Sequence, residues 1–345
     1  MTKISGIYAA SMSVLNSDLS LNVEKTILHA EKLIDQGCHG TAIFGSTGQA
    51  QLISISEKIK LLNVLSESKY KDKHVIGTGL NSLNETINFM KIAVSLNFKK
   101  FLIMPPAYYN YQDSDVMNFY SKIIDTIPQS QIILYNFEKL CGYKFSIKCV
   151  ENLVKKFPEQ IVGVKDSSYN LYENLKINNF SVMPGSETKL LKGLELGCSG
   201  IITATTNVTS ALARDVYDNF LMKSSKDLNE KLCNIRLAFE KYNLISGLHT
   251  FYSENNKIYE KETLQLISPP GQDSLRTTML VVSVSVSLEV CFAESSQIVG
   301  SRKFLDASFA NHPSQYYSYK REESIWVIVE PAHLMLNQQG IHLGD

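Results

Sequence analysis

The sequence has no surplus of charge and no block of like charges. Lys plus Arg and Asp plus Glu number 34 each, so no global field would gather nucleic acid or an anionic membrane, and small metabolites are the expected ligands. A long apolar run is also missing. The most apolar-looking stretch, Thr278 to Ala293, is broken by Ser283, Ser285, Ser287 and Glu289 at alternate positions; that is a period of two, too short to cross a bilayer as a helix. Cysteines are few and scattered. Cys38, Cys141, Cys149, Cys198, Cys233 and Cys291 form no C-x-x-C pair and have no histidines at zinc-finger spacing, which argues against a disulfide framework and a structural zinc and fits a reducing cytoplasm. Residues 1–13 lack the apolar core of a signal peptide and carry only Lys3 as a charge, so export is not expected. Absent too are H-E-x-x-H, a Walker loop, a G-x-S-x-G elbow and an acidic metal cluster. No metal and no organic cofactor is therefore expected.

What is present is an alternation. Apolar residues make up 44% of the 345 residues, enough for a sizeable core. Short β-branched runs end at Ala10, Gly45, Gly79, Pro106, Asn136, Asp166, Ser186 and Thr205. Segments of helical period follow them, at Asn22 to Gln36, Ser56 to Ser68, Asn84 to Leu96, Ser114 to Thr126, Ser146 to Phe157, Tyr169 to Asn178, Glu187 to Leu196 and Thr209 to Leu221. In the first of these Val23, Ile27, Ala30 and Ile34 line one face. Strand–helix alternation without hairpin signals demands parallel strands, and eight units predict an α/β fold of the (β/α)₈ TIM barrel type over 1–222. A doubly wound sheet is the alternative, disfavoured because no G-x-G-x-x-G follows the first strand. A further helix is predicted over Asp227 to Leu244, within a helical extension at 223–264. The text of 265–345 loses the repeat and forms an atypical segment with no assigned role.

In such a barrel the chemistry sits at the carboxyl ends of the strands. Lys165 ends the otherwise apolar run IVGVKD; an ammonium there is costly to desolvate, which favours the free amine, the form that attacks a keto carbon to give an imine. The bland alternative is a lysine that reaches solvent. Tyr135 ends the preceding strand and offers a phenol to the same mouth, as a general acid–base or as an aromatic plug. The Gly-bounded turn G45-S-T-G-Q49 presents backbone N–H groups and two hydroxyls that suit a carboxylate, although Ser and Gly are common in any such turn. Two further loops, P105-P-A-Y-Y-N110 and M183-P-G-S-E187, end strands four and seven.

Taken together, GSTG, PPAYY, YN and GVKDSS, in that order, make the stretch from Ile4 to Tyr259 resemble the dihydrodipicolinate synthase and N-acetylneuraminate lyase family of Schiff-base-forming pyruvate aldolases. The resemblance implies that Lys165 condenses with pyruvate, that Ser46 and Thr47 hold its carboxylate, and that Tyr135 relays protons through the Thr47 hydroxyl. It implies that Tyr108, or Tyr109, is lent to a neighbouring subunit, so that the protein is a homo-oligomer, a dimer or tetramer. Gly185 and Ile202 match positions lining the pyruvate pocket, and Ser167 lies in the lysine motif. The departures concern the second substrate. Leu140 stands where the synthases carry an arginine for a carboxylated aldehyde, which argues for a neutral or polyhydroxylated one. The sialic acid lyases share that leucine but bind the sugar tail with an acidic pair and a serine, where this chain has Glu187, Thr188 and Ala204. Gln49 replaces a usual glutamate, and Ser13 and Val14 a usual threonine–proline. The expected activity is a lyase acting on a 2-keto-3-deoxy sugar acid, similar to N-acetylneuraminate lyase or to 2-keto-3-deoxygluconate aldolase. The named competitors are sialic acid lyase and dihydrodipicolinate synthase and, from another class, a catalytically silent pyruvate-binding regulatory protein.

Overall fold

A computed structural model of the chain describes residues 3–225, 227–255, 317–321 and 324–328. The chain divides into two units, Met1–Val290 and Cys291–Asp345. In the first, eight parallel strands follow one another around a nearly closed barrel: β1 Gly6–Ala10, β2 Gly40–Ile43, β3 His74–Gly77, β4 Lys100–Ile103, β5 Gln131–Asn136, β6 Ile161–Asp166, β7 Ser181–Pro184 and β8 Gly200–Thr203. Their order, β7-β6-β5-β4-β3-β2-β1-β8, leaves only the β7–β8 seam without a ladder, and the Ser199 N–H donates to the Val182 carbonyl across it at 2.9 Å. This is the (β/α)₈ TIM barrel that the alternation predicts.

The helices that wrap it are α1 Val23–Asp35, α2 Ile55–Leu65, α3 Leu83–Ser95, α4 Asp113–Thr126, α5 Glu138–Cys141, α6 Ile147–Lys156, α7 Leu190–Glu195 and α8 Thr206–Leu221. Several begin where the sequence supplies a cap. Asn22, Ser54, Ser82 and Ser146 each accept from a backbone N–H of the first turn, which removes an orphan donor and is worth about 1 kcal/mol. Two apolar layers result. Ala42, Val75, Leu102, Ile133, Met183 and Ile202 point inward and fill the barrel, while Ile43, Ile76, Phe101, Ile132, Leu134 and Val164 face the helices.

The region from Tyr169 to Asn178, expected to be helical, is a succession of turns. The Asp166 carboxylate accepts from the backbone N–H groups of Tyr169, Leu171 and Tyr172, at 2.9 Å each, and this local competition holds the backbone away from a helix. The helix expected over Asp227 to Leu244 is two: α9 Asn229–Glu240 and α10 Leu244–Asn255. Both pack Leu232, Ile235, Phe239, Leu248 and Phe251 into one cluster with Ile7, Val208 and Leu212, so the extension shares a core with the barrel. In the second unit, β9 Tyr317–Arg321 and β10 Ser324–Ile328 form an antiparallel hairpin. The rest of the atypical segment lies outside the described residues.

Candidate active site

A cavity of about 930 Å³ opens at the carboxyl ends of the strands. Its foot is made by β5 and β6, whose register pairs Tyr135 with Lys165 and Asn136 with Asp166. Alternation along the strands then assigns two directions. Tyr135 and Lys165 line the cavity, whereas Asn136 and Asp166 are fully buried and pin the strand ends. The Asn136 amide donates to Asp166 and to Asn170, 2.8 Å each, and its carbonyl accepts from the Phe145 N–H at 3.1 Å. The β5–β6 seam is thus hydrogen-bonded behind and presents a phenol and an amine to the cavity in front.

Lys165 is 3% exposed. Its Nζ donates to the Tyr135 Oη at 3.2 Å and lies 4.2 Å from the centre of that ring. Among the described residues it makes no ion pair, because the neighbouring Asp166 turns away to hold the 169–172 turns. The Tyr135 Oη lies 2.8 Å from the Ser46 Oγ. The hydroxyl that meets the phenol is therefore that of Ser46, where the sequence led to the expectation of Thr47. Thr47 also lines the cavity but makes no hydrogen bond to Tyr135.

The loop that carries Ser46 is strained and braced. Phe44 and Gln49 have φ of 59° and 53°, a left-handed backbone that non-glycine residues adopt at a cost and that concentrates at functional sites. The Gly77 position must lack a side chain, since a Cβ there would overlap the Phe44 carbonyl. Ser13 Oγ donates to the Gly48 carbonyl at 2.7 Å, and Gln49 and Ala50 close the turn onto Ser46 and Gly45. Among the described residues the backbone N–H groups of Ser46 and Thr47 donate to no protein acceptor. Adjacent free N–H groups of this kind suit a carboxylate. Ser167 and Gly185 complete this side of the cavity; a Cβ at Gly185 would overlap the Ser167 hydroxyl.

Leu140, on α5, lines the upper wall and is 43% exposed, beside Lys139 and Glu138. Tyr108 lies elsewhere: it is 90% exposed with φ of 87°, packs edge-on against Tyr109, and neither tyrosine lines the cavity. Ile202 is enclosed in the barrel layer beneath the cavity and does not line it.

Glu187 is likewise corrected. Expected as a substrate contact, it is 0% exposed and absent from the cavity wall. Its Oε2 accepts from Thr203 Oγ1 at 2.8 Å and from Arg236 Nη1 at 3.2 Å, because a carboxylate this deep needs a countercharge. Arg236, on α9, is what reaches the cavity, together with Glu240 one turn later. Burial pulls the Arg236 guanidinium down, but the Glu187 and Glu240 carboxylates hold its pKa above the ordinary value. The sequence reading missed this residue, although a signal existed: Arg236 follows Leu232 by four residues and precedes Phe239 by three, so it sits on the apolar stripe of its helix.

Among the described residues no group of three or more His, Cys, Asp or Glu could hold a metal ion, and no helix is long and apolar enough to cross a membrane.

The model of the dihydrodipicolinate synthetase family matches residues 3–258. An uncharacterized DapA-like lyase of Chloroflexus aurantiacus is 26% identical over 227 residues, covering 64% of this chain and 76% of that protein. A protein of Picrophilus torridus named 2-dehydro-3-deoxy-D-gluconate/2-dehydro-3-deoxy-phosphogluconate aldolase is 25% identical over 221 residues, covering 62% of this chain and 82% of its own. Among solved structures, YagE, a prophage protein of the dihydrodipicolinic acid synthase family from E. coli K12 in complex with pyruvate, superposes with a TM-score of 0.75 at 18% identity. That match covers 83% of this chain and 100% of YagE, and it speaks for the fold.

Proposed function

The chain belongs to the dihydrodipicolinate synthetase family, as a lyase of that family, and from this premise we propose that it is a class I aldolase joining pyruvate to an uncharged hydroxyaldehyde, or cleaving the resulting 2-keto-3-deoxy sugar acid. The observation that carries the reading is the buried Lys165 amine, without an ionic partner among the described residues, 3.2 Å from the Tyr135 phenol.

In the cleavage direction the Lys165 amine adds to the C2 keto carbon, and loss of water gives a protonated imine. Each dehydration step needs a proton delivered to the departing oxygen, and Tyr135 stands within reach of it, its own proton exchanged with Ser46 2.8 Å away. Tyr135 then takes the proton of the C4 hydroxyl. The C3–C4 electron pair flows into the iminium, releasing the aldehyde and leaving an enamine. Protonation at C3 and hydrolysis by water return free lysine and pyruvate. The electron sink is the iminium itself. The substrate carboxylate rests on the Ser46 and Thr47 N–H groups, with Gly185 giving it room.

Leu140 supports a neutral aldehyde, since an apolar side chain at the upper wall cannot anchor a carboxylate. The Picrophilus relative, named an aldolase of 2-dehydro-3-deoxy-D-gluconate and of its phosphorylated form, supports a sugar-acid aldolase without deciding between the two tails. Assembly into an oligomer in which the exposed Tyr108 of one subunit completes a neighbour's relay belongs to this reading. The test is to incubate the protein with 2-keto-3-deoxygluconate and other 2-keto-3-deoxy sugar acids and follow pyruvate release. Equimolar pyruvate and aldehyde is the expected result. No cleavage across the panel, with efficient condensation of pyruvate and aspartate semialdehyde instead, would overturn it.

A further inference from the structure

The cavity wall also carries a built polar device that no expected role absorbs. Arg236 is 7% exposed and lines the cavity. Its Nη1 donates to Glu187 at 3.2 Å, Thr203 at 3.1 Å and Thr205 at 3.2 Å, and its Nε to Glu240 at 2.7 Å. A guanidinium has five N–H donors. Among the described residues Nη2 meets no acceptor, so its two N–H groups are left for whatever enters the cavity. Glu240, with one oxygen on Arg236 and its side chain about 42% exposed, keeps acceptor capacity on the same wall.

The charge balance decides what this device recognises. One guanidinium faces two carboxylates, the buried Glu187 and the half-exposed Glu240, which leaves one negative charge in excess. An anionic tail would gain little from a cation already committed to two partners and would be repelled by Glu240. A hydroxyl fits both halves, accepting from Nη2 and donating to the Glu240 carboxylate. We propose that Arg236 and Glu240 form the specificity wall for the aldehyde half of the substrate, reading neighbouring hydroxyls and discriminating against phosphorylated or carboxylated tails. Glu187, Thr203 and Thr205 act as positioning residues that fix the guanidinium plane. The inference rests on the aldolase reading above and names its substrate class: unphosphorylated polyhydroxyaldehydes.

The test measures condensation of pyruvate with D-glyceraldehyde, with propionaldehyde, which has the same chain length without hydroxyls, and with glyceraldehyde 3-phosphate. The wild-type protein is expected to rank them in that order. Glu240→Gln should lower the glyceraldehyde-to-propionaldehyde ratio of kcat/KM by roughly tenfold, the scale of a lost charged hydrogen bond, and should narrow the gap to the phosphorylated aldehyde. Arg236→Lys should lower the same ratio, since an ammonium cannot present the planar fork. A merely structural ion pair would depress all three substrates together and leave the ratios unchanged, and that result overturns the proposal. So does a wild-type preference for glyceraldehyde 3-phosphate, which would point to Lys139, also on the cavity wall, as an anion anchor. Failure of the aldolase reading itself is seen separately, as no condensation of any aldehyde and no borohydride-trapped pyruvate on the wild-type chain.

Discussion

The foot and the wall of the cavity treat charge in opposite ways. At the foot, Lys165 is buried against a phenol, and the acid next to it in the chain, Asp166, is occupied with backbone N–H groups. At the wall, Arg236 is buried against two carboxylates. With no ion pair among the described residues, the Lys165 nitrogen faces the phenol and the cavity, the placement an imine-forming nucleophile needs. A buried cation with counterions stays charged and is fixed in place, which suits recognition. The difference lies in residue choice as well, because a lysine can give up its proton and an arginine cannot.

The largest expected effect breaks the foot. Lys165→Arg keeps the length of the side chain but removes the amine that would form the imine, and kcat/KM should fall by about 10⁴-fold or more, read by pyruvate release from the sugar acid. Tyr135→Phe keeps the ring over the amine and removes the proton carrier. A loss of roughly 10²- to 10⁴-fold is expected in kcat, and a loss confined to KM would show that the phenol only binds. Ser46→Ala should cost less than Tyr135→Phe but more than Thr47→Val, because only Ser46 reaches the phenol; the reverse order would restore Thr47 to the relay.

The rigid backing is tested by stability. Asn136→Ala strips three hydrogen bonds from the β5–β6 seam and leaves buried partners unmet, so a loss of about 1–3 kcal/mol is expected in urea unfolding. An unchanged midpoint would mean the seam is held by strand pairing alone. A further effect on stability concerns acid. Burial lowers His29, His74 and His249 to about 4 from their ordinary 6.5. Folding therefore keeps these imidazoles neutral; the stability this carries is full above about pH 6.5 and is lost as pH falls from there toward 4. Urea midpoints should drop across that window. A flat profile would contradict the burial of these rings.

The two regions were not equally legible in the sequence. Tyr135 and Lys165 could be read because they end short apolar strands, and both strand ends, Asn136 and Asp166, are met as read. β1 also ends at Ala10 as read, whereas β2, β3, β4, β7 and β8 close two or three residues earlier than the apolar text suggests; Phe44 and Gly79 turn left-handed just beyond β2 and β3. The Tyr169 to Asn178 helix fails because one aspartate outcompetes the helical pattern, a side-chain effect that periodicity does not register. Arg236 went unread for another reason: it lies about seventy residues beyond Lys165 in the chain and on a helix outside the repeats, and only folding brings it to Glu187. Thr47 and Ser46 are adjacent and chemically alike, so which one faces the phenol depends on the Phe44 and Gln49 torsions, which composition does not encode.

The central claim is that Lys165 is the nucleophile that forms an imine with a keto acid. Incubation with pyruvate and borohydride, followed by intact mass and peptide mapping, tests it most directly. One reduced pyruvyl group per chain, located on the peptide containing Lys165 and missing in Lys165→Arg, is the predicted result. A protein that turns over substrate with no adduct, or with the adduct on another lysine such as Lys139, would contradict the account.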